Sequence, residues 1–216
     1  MLKRIILSIF IAVIFLVPSI AESSAERDIT KQTLPNGLKV IIEEDHSAPV
    51  VALQFWVHVG SADEKENEAG VAHVFEHMLF KGTEKRGLGD IAREVEASGG
   101  SINAYTSYDN TVYHIVMPSR RFAVGLDILS DAIRNSSFDP NELAKELEVV
   151  LEEIRMGEDN PGRKLFKSLL SNAYTTHPYK DTVIGYNETV SALTRDYILE
   201  FFDKWYRPEN MTLVIT

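Results

Sequence analysis

Between residues 50 and 80 the apolar side chains change their spacing once. VVALQFWVHV (residues 50–59) is dense in β-branched and aromatic residues and reads as a strand. Residues 60–67 form a polar loop, and from Glu68 to Phe80 the apolar residues recur at helical spacing. The rest of the chain keeps mixing the two periods. Residues 31–45 read as a hairpin around Pro35-Asn36-Gly37, because Asn-Gly favours a tight turn. Residues 89–98 read as a helix stopped by Gly99-Gly100, and 101–106 with 111–117 as a second strand pair. Ser119 is placed to cap a helix reaching about Arg134, Asp139-Pro140 to open one over 140–156, and Pro161-Gly162 one ending near Tyr174. Thr194 is placed to cap a last helix ending near Tyr206, before an apolar strand over 211–216. Strands, helix, strands, helices and strand in that order predict an α+β fold, with helices packed on a mainly antiparallel sheet.

The helix over 68–80 carries His73-Val-Phe-Glu-His77. Positions four apart lie one turn apart on the same helix face, so both imidazoles can reach one metal ion. Glu76 lies on the same side, where its carboxylate can reach a water at the metal. This is the H-x-x-E-H order of an inverted zinc motif. Zinc lowers the pKa of its water to about 7, and a nearby carboxylate takes the proton as the water attacks a carbonyl. A catalytic zinc needs a third protein ligand. The chain has no cysteine, so that ligand is His, Asp or Glu. His46, His58, His114 and His177 have no local partner in sequence. The acidic helix 140–156 is better supplied. Glu146 and Glu153 are seven apart and share a face, whereas Glu142, Glu148 and Glu152 lie on other faces and read as solvated.

The first 25 residues form a separate object. Lys3 and Arg4 precede a 13-residue apolar run, IILSIFIAVIFLV, which Pro18 ends. Ser19-Ile20-Ala21 and Ser23-Ser24-Ala25 each offer small residues where a signal peptidase reads. A cleaved signal peptide is expected, with processing after Ala21 or Ala25 and a periplasmic or secreted product. The run falls short of the about 20 residues of a spanning helix, so no stable membrane anchor is expected. An exported chain without cysteine must draw its stability from its core. A formal charge of −10, two units more negative without Lys3 and Arg4, disfavours nucleic acid as a partner.

GSADEKENEAGVAHVFEHMLFKGT (60–83) resembles the zinc segment of the pitrilysin, or insulinase, family of zinc metallopeptidases, which includes the mitochondrial processing peptidase. SINAYTSYDNTVYHIVMP (101–118), KELEVVLEEIRMGEDNP (145–161) and residues 177–216 resemble further stretches of that family's N-terminal catalytic domain. The resemblance covers nearly all of 29–216. It implies that His73 and His77 bind zinc, that Glu76 is the catalytic base, and that Glu153, 76 positions after His77, is the distal ligand. It implies that Glu146 supports catalysis without binding metal, and that Asn103 and Ala104 lie on an edge strand where substrate backbone pairs. It also implies a second, similarly folded domain or partner subunit, closing a chamber around unfolded peptides. Residues 26–216 then form the N-terminal metallopeptidase domain of a longer protein, a weak peptidase by itself. The competing readings are a non-catalytic peptide-binding or scaffold subunit of the same fold and a periplasmic metal-binding module. Glu76 argues against the last, because a storage site needs no base.

Overall fold

A computed structural model describes residues 28–216. The expected signal peptide and its processing sites lie outside the described residues. The element order is β1 (Ile29–Thr33), β2 (Lys39–Glu43), β3 (Val50–Val57), α1 (Val71–Leu79), α2 (Asp90–Ala97), β4 (Ser101–Thr106), β5 (Thr111–Pro118), α3 (Phe122–Asn135), α4 (Pro140–Glu158), α5 (Pro161–Ala173), α6 (Asn187–Ser191), α7 (Arg195–Trp205) and β6 (Met211–Ile215). The six strands form one sheet in the order β1-β2-β6-β3-β5-β4. Only the β2–β6 pair is parallel; the others are antiparallel, as the α+β expectation required.

Strand β3 shows why the sheet has a covered face. Val51, Leu53, Phe55 and Val57 are buried, and the residues between them are only half-buried. Alternation of period two turns the first set toward the helices. From α1, Val71, Ala72, Val74, Phe75, Met78 and Leu79 are buried, which leaves His73, Glu76 and His77 on the remaining side. Phe75 is the centre of the helical layer. Its ring lies 4.9 Å from Phe138, 5.5 Å from Phe201 and 4.2 Å from Tyr206, centroid to centroid. It thereby fastens α1 to α7 and to the turn before α4.

A second fastening is ionic. The Arg86 guanidinium donates to Asp131 and Asp127, each at 2.6 Å, and to Glu94 at 3.1 Å. Asp131 also accepts from the Thr83 hydroxyl at 2.7 Å. This network ties the segment after α1 to α2 and α3, and every partner of the buried charge is satisfied, which burial demands.

Three sequence expectations need correction. The helix expected from Glu68 begins at Val71. Glu66–Glu68 make a 3₁₀ turn instead, and Gly70, in the left-handed region at φ 98°, redirects the chain before the first helical residue. Ser119 does not cap α3; a 3₁₀ turn over Ser119–Arg121 leads into Phe122 with no side-chain cap. Residues 177–193, for which no element was expected, contain the short helix α6. By contrast, Asp139 accepts from the N–H groups of Asn141 and Glu142, and Thr194 from that of Tyr197, as capping residues do.

Phe75→Ala is expected to cost about 3–5 kcal/mol, because a fully buried ring leaves a cavity among partners anchored to two other segments. Urea denaturation of the two proteins measures it. A loss below 1 kcal/mol would show that α1 is held by something other than this cluster.

Candidate metal centre

Helix α1 presents His73 and His77 one turn apart, with ring centroids 4.8 Å from each other. Helix α4 crosses that face and brings Glu153 to both. Its Oε2 lies 3.8 Å from Nε2 of His73 and 3.8 Å from Nε2 of His77. One ligand atom from each residue falls within 4.8 Å of the others. Two imidazole nitrogens and one carboxylate oxygen are the donor set of a three-ligand catalytic zinc, and the spacing accommodates one ion.

Glu146, two turns before Glu153 on α4, is not one of the three clustered donors. It is buried, with Oε2 3.0 Å from His77 Nδ1 and Oε1 accepting from the Lys81 ammonium. A carboxylate beside Nδ1 keeps the imidazole proton there and leaves Nε2 as the free donor atom, the usual outer-shell arrangement of a metal-binding histidine. Burial alone would raise the Glu146 carboxyl, but Lys81 and His77 outweigh it and hold the group below its ordinary value. His73 is pushed down to about 4 by burial and by the neighbouring His77, so it is a neutral imidazole at physiological pH, the form that binds metal. Its Nδ1 is buried without a hydrogen-bond partner among the described residues.

Glu76 stands beside the cluster. The Thr106 hydroxyl, at the end of β4, donates to its Oε2 at 2.7 Å. Burial raises the Glu76 carboxyl above its ordinary value, with the Thr106 hydrogen bond opposing. A raised carboxylate is a stronger base than a solvated one.

The helix itself is capped from outside. Gly70 has no side chain to offer, and both oxygens of Glu64 accept from α1's first turn, from the Gly70 and Ala72 N–H groups, each at 2.8 Å. Burial pushes the Glu64 carboxyl up to about 8 against the pull of these donors.

The remaining sequence candidates lie apart. Asn103 and Ala104 are on β4, which among the described residues pairs only with β5 and is one edge of the sheet. The Ala104 N–H donates to the Asn103 side-chain oxygen at 2.9 Å. His58 contacts Asn110 and Thr212, and the Tyr179 N–H donates to His177. Glu152 pairs with Arg155 at the surface, and Glu142, half-buried rather than solvated, with Lys145. Sequence reasoning missed Lys81, Thr106 and Glu64. Lys81 was accessible to it, four residues after His77 on the same side as the imidazoles. Thr106 and Glu64 come from a strand end and a loop, and nothing in their local sequence marks them.

Residues 39–186 match the model of the insulinase family, peptidase family M16. A curated relative from Rickettsia felis, named an uncharacterized zinc protease, is 37% identical over 182 residues, 84% of this chain and 44% of the relative. A probable β subunit of the mitochondrial-processing peptidase from Arabidopsis thaliana is 32% identical over 191 residues, 88% of this chain and 36% of that protein. Among solved structures, a protease from Helicobacter pylori superposes with a TM-score of 0.84 at 29% identity, covering 88% of this chain and 46% of the other. The first half of the periplasmic protease PqqL from Escherichia coli superposes at 0.80 with 30% identity, covering 87% and 42%. The chain thus spans less than half the length of these relatives.

Two outcomes follow from the geometry. Purified chain is expected to bind one zinc, and Glu146→Ala to lower zinc affinity about 10- to 100-fold by freeing the His77 ring; competition with a chromophoric chelator reads both. Stoichiometric zinc in the His73→Ala, His77→Ala double variant would place the metal elsewhere. The second concerns pH. The folded chain holds a proton on Glu64 up to about 8, whereas the unfolded chain releases it near the ordinary 4.5. Stability from this group is therefore full below about 4.5 and is lost as pH rises toward 8. Denaturation midpoints across that window should show the decline, and Glu64→Gln should flatten it; an unchanged slope in the variant would contradict the assignment.

Proposed function

The chain belongs to the insulinase family, peptidase family M16, and from that premise we propose that it is the metal-bearing part of a zinc-dependent endopeptidase acting on unfolded peptides or protein segments. One observation carries the reading: His73, His77 and Glu153 converge on one point, with the Glu76 carboxylate beside them. The relatives named zinc proteases support zinc as the metal.

In this reading His73, His77 and Glu153 hold the zinc. When bound, zinc polarises the scissile carbonyl and acidifies a water molecule. Glu76 takes the proton from the attacking water and delivers it to the leaving amine, and Thr106 keeps its carboxylate turned toward the cluster. Glu146 acts through His77 as a positioning residue, with Lys81 balancing its charge. Substrate backbone pairs along the free edge of β4, since an extended peptide satisfies edge N–H and C=O groups whatever its sequence. The Asn103 side chain holds the Ala104 N–H, so an incoming peptide displaces it to pair there.

The same reading makes residues 26–216 the N-terminal domain of a two-part enzyme, whose homologous second half closes over the cluster and excludes water. It also has the protein exported through the segment containing Lys3, Arg4 and the apolar run 5–17. Among the described residues no helix is long and apolar enough to cross a membrane, and the PqqL neighbour is a periplasmic protease.

Glu76→Gln tests the reading. The amide is nearly isosteric and cannot take a proton, so the variant should keep its zinc and lose about 10²–10⁴ in the rate of cleavage of an unstructured peptide. The assay is run with the homologous second half supplied. Glu153→Gln should instead lose metal first and recover part of its activity in excess zinc. Turnover by Glu76→Gln close to that of the unmodified protein would remove Glu76 from the mechanism and favour a binding role for the fold.

A further inference from the structure

Beyond Glu153 the structure opens into a cavity of about 940 Å³. Its walls are the C-terminal turns of α4, the first turns of α5 and the segment 180–185, and Glu153 itself lines it, so the cavity opens beside the metal cluster. The mechanism makes no use of this space.

Its lining combines two chemistries. Phe166 and Leu170 supply apolar surface, and Arg163, Lys164, Lys167 and Lys180 supply four cations. Among the described residues none of these four forms an ion pair, although Lys65, Lys81, Arg86, Arg93, Lys145 and Arg155 all do. Three acids share the lining, Glu153, Glu158 and Asp181, so the cations outnumber them by one, and among the described residues none of the three is paired with a cation of the group. Glu153 is turned to the two histidines, and Asp181 accepts from the Tyr186 hydroxyl at 2.8 Å; Glu158 is a single carboxylate at the wall. Lys167 lies over the Tyr186 ring, 5.2 Å from its centroid. In a chain of formal charge −10, four cations without an ion-pair partner against three carboxylates, one of them turned to the histidines, leave this concavity with a local excess of positive charge. Such an excess attracts an anionic group, and the apolar surface accommodates the methylenes that carry it.

We propose that this cavity is a specificity pocket for a carboxylate-bearing side chain, glutamate or aspartate, in the stretch of peptide next to the bond that is cleaved. The proposal rests on the peptidase reading for the identity of the occupant. It adds the chemical class of the residue selected and the four side chains that select it.

The test uses binding, so that it does not depend on turnover. The zinc-loaded Glu76→Gln chain is titrated into three fluorescent peptides, unstructured, otherwise uncharged and identical except for one central Glu, Gln or Lys, and anisotropy gives the affinities. The Glu peptide should bind about tenfold tighter than the Gln peptide, as one charge-assisted contact would produce, and the Lys peptide should bind most weakly. Salt should shrink the advantage. Arg163→Glu and Lys164→Glu, both at exposed positions on α5, should each erase or reverse the order. Equal affinities for the three peptides would overturn the acidic preference and leave the peptidase reading standing on its own cleavage assay. Absence of binding by all three would overturn the pocket as a peptide site. Loss of cleavage activity in the unmodified protein, with the order of affinities intact, would instead strike the peptidase reading alone.

Discussion

The structure depends on one meeting, that of α1 with α4. The two ring nitrogens come from a single helix turn, but the third donor atom comes from a helix that begins after α2, α3 and two strands. A carboxylate misplaced by an ångström or two would no longer share an ion with both imidazoles. The chain secures the meeting with interactions that have no metal in them. Phe75 locks α1 to α7 and Phe138, and Glu146 with Lys81 and His77 forms a polar bridge between α1 and α4 beside the cluster. The three candidate donor atoms are thus held together by packing and hydrogen bonds, which would keep low the cost of ordering them around an ion.

Burial then assigns different tasks to residues on one helix face. His73 loses water and becomes harder to protonate, which suits a ligand. Glu76 loses water too, and becomes easier to protonate, which suits a base. Desolvation disfavours the charged form in both cases, and its sign follows from whether that form is the acid or its conjugate base. Glu146, equally in need of a charge to hold His77, keeps it because Lys81 stands against it.

Much of this was legible in the sequence. His73, Glu76 and His77 lie on a strongly periodic segment, so helical geometry placed them without any tertiary knowledge. Asp139 and Thr194 marked helix starts because their chemistry is local. What stayed hidden was the set of contacts made across the sheet and between distant segments. The start of α1 was misplaced because Gly70 and Glu64 act together there, one turning the backbone and the other capping it from six residues away. Thr106 reaches Glu76 only because β4 is added at the sheet edge next to α1. Residues 140–156 were readable as an acidic helix. Glu146 and Glu153 share a face, so helical spacing could not tell them apart; the resemblance distinguished them, and in the structure Glu153 approaches both Nε2 atoms while Glu146 approaches only Nδ1 of His77.

The most direct test of the account is an anomalous difference map at the zinc edge, from crystals of this chain grown with zinc. The account predicts one strong peak about 2.0–2.2 Å from a nitrogen of His73, a nitrogen of His77 and an oxygen of Glu153. Glu146 should lie outside that shell, and Glu76 should be near the peak without touching it. A peak coordinated by Glu146 or Glu76 in place of Glu153, or no peak between α1 and α4, would contradict it.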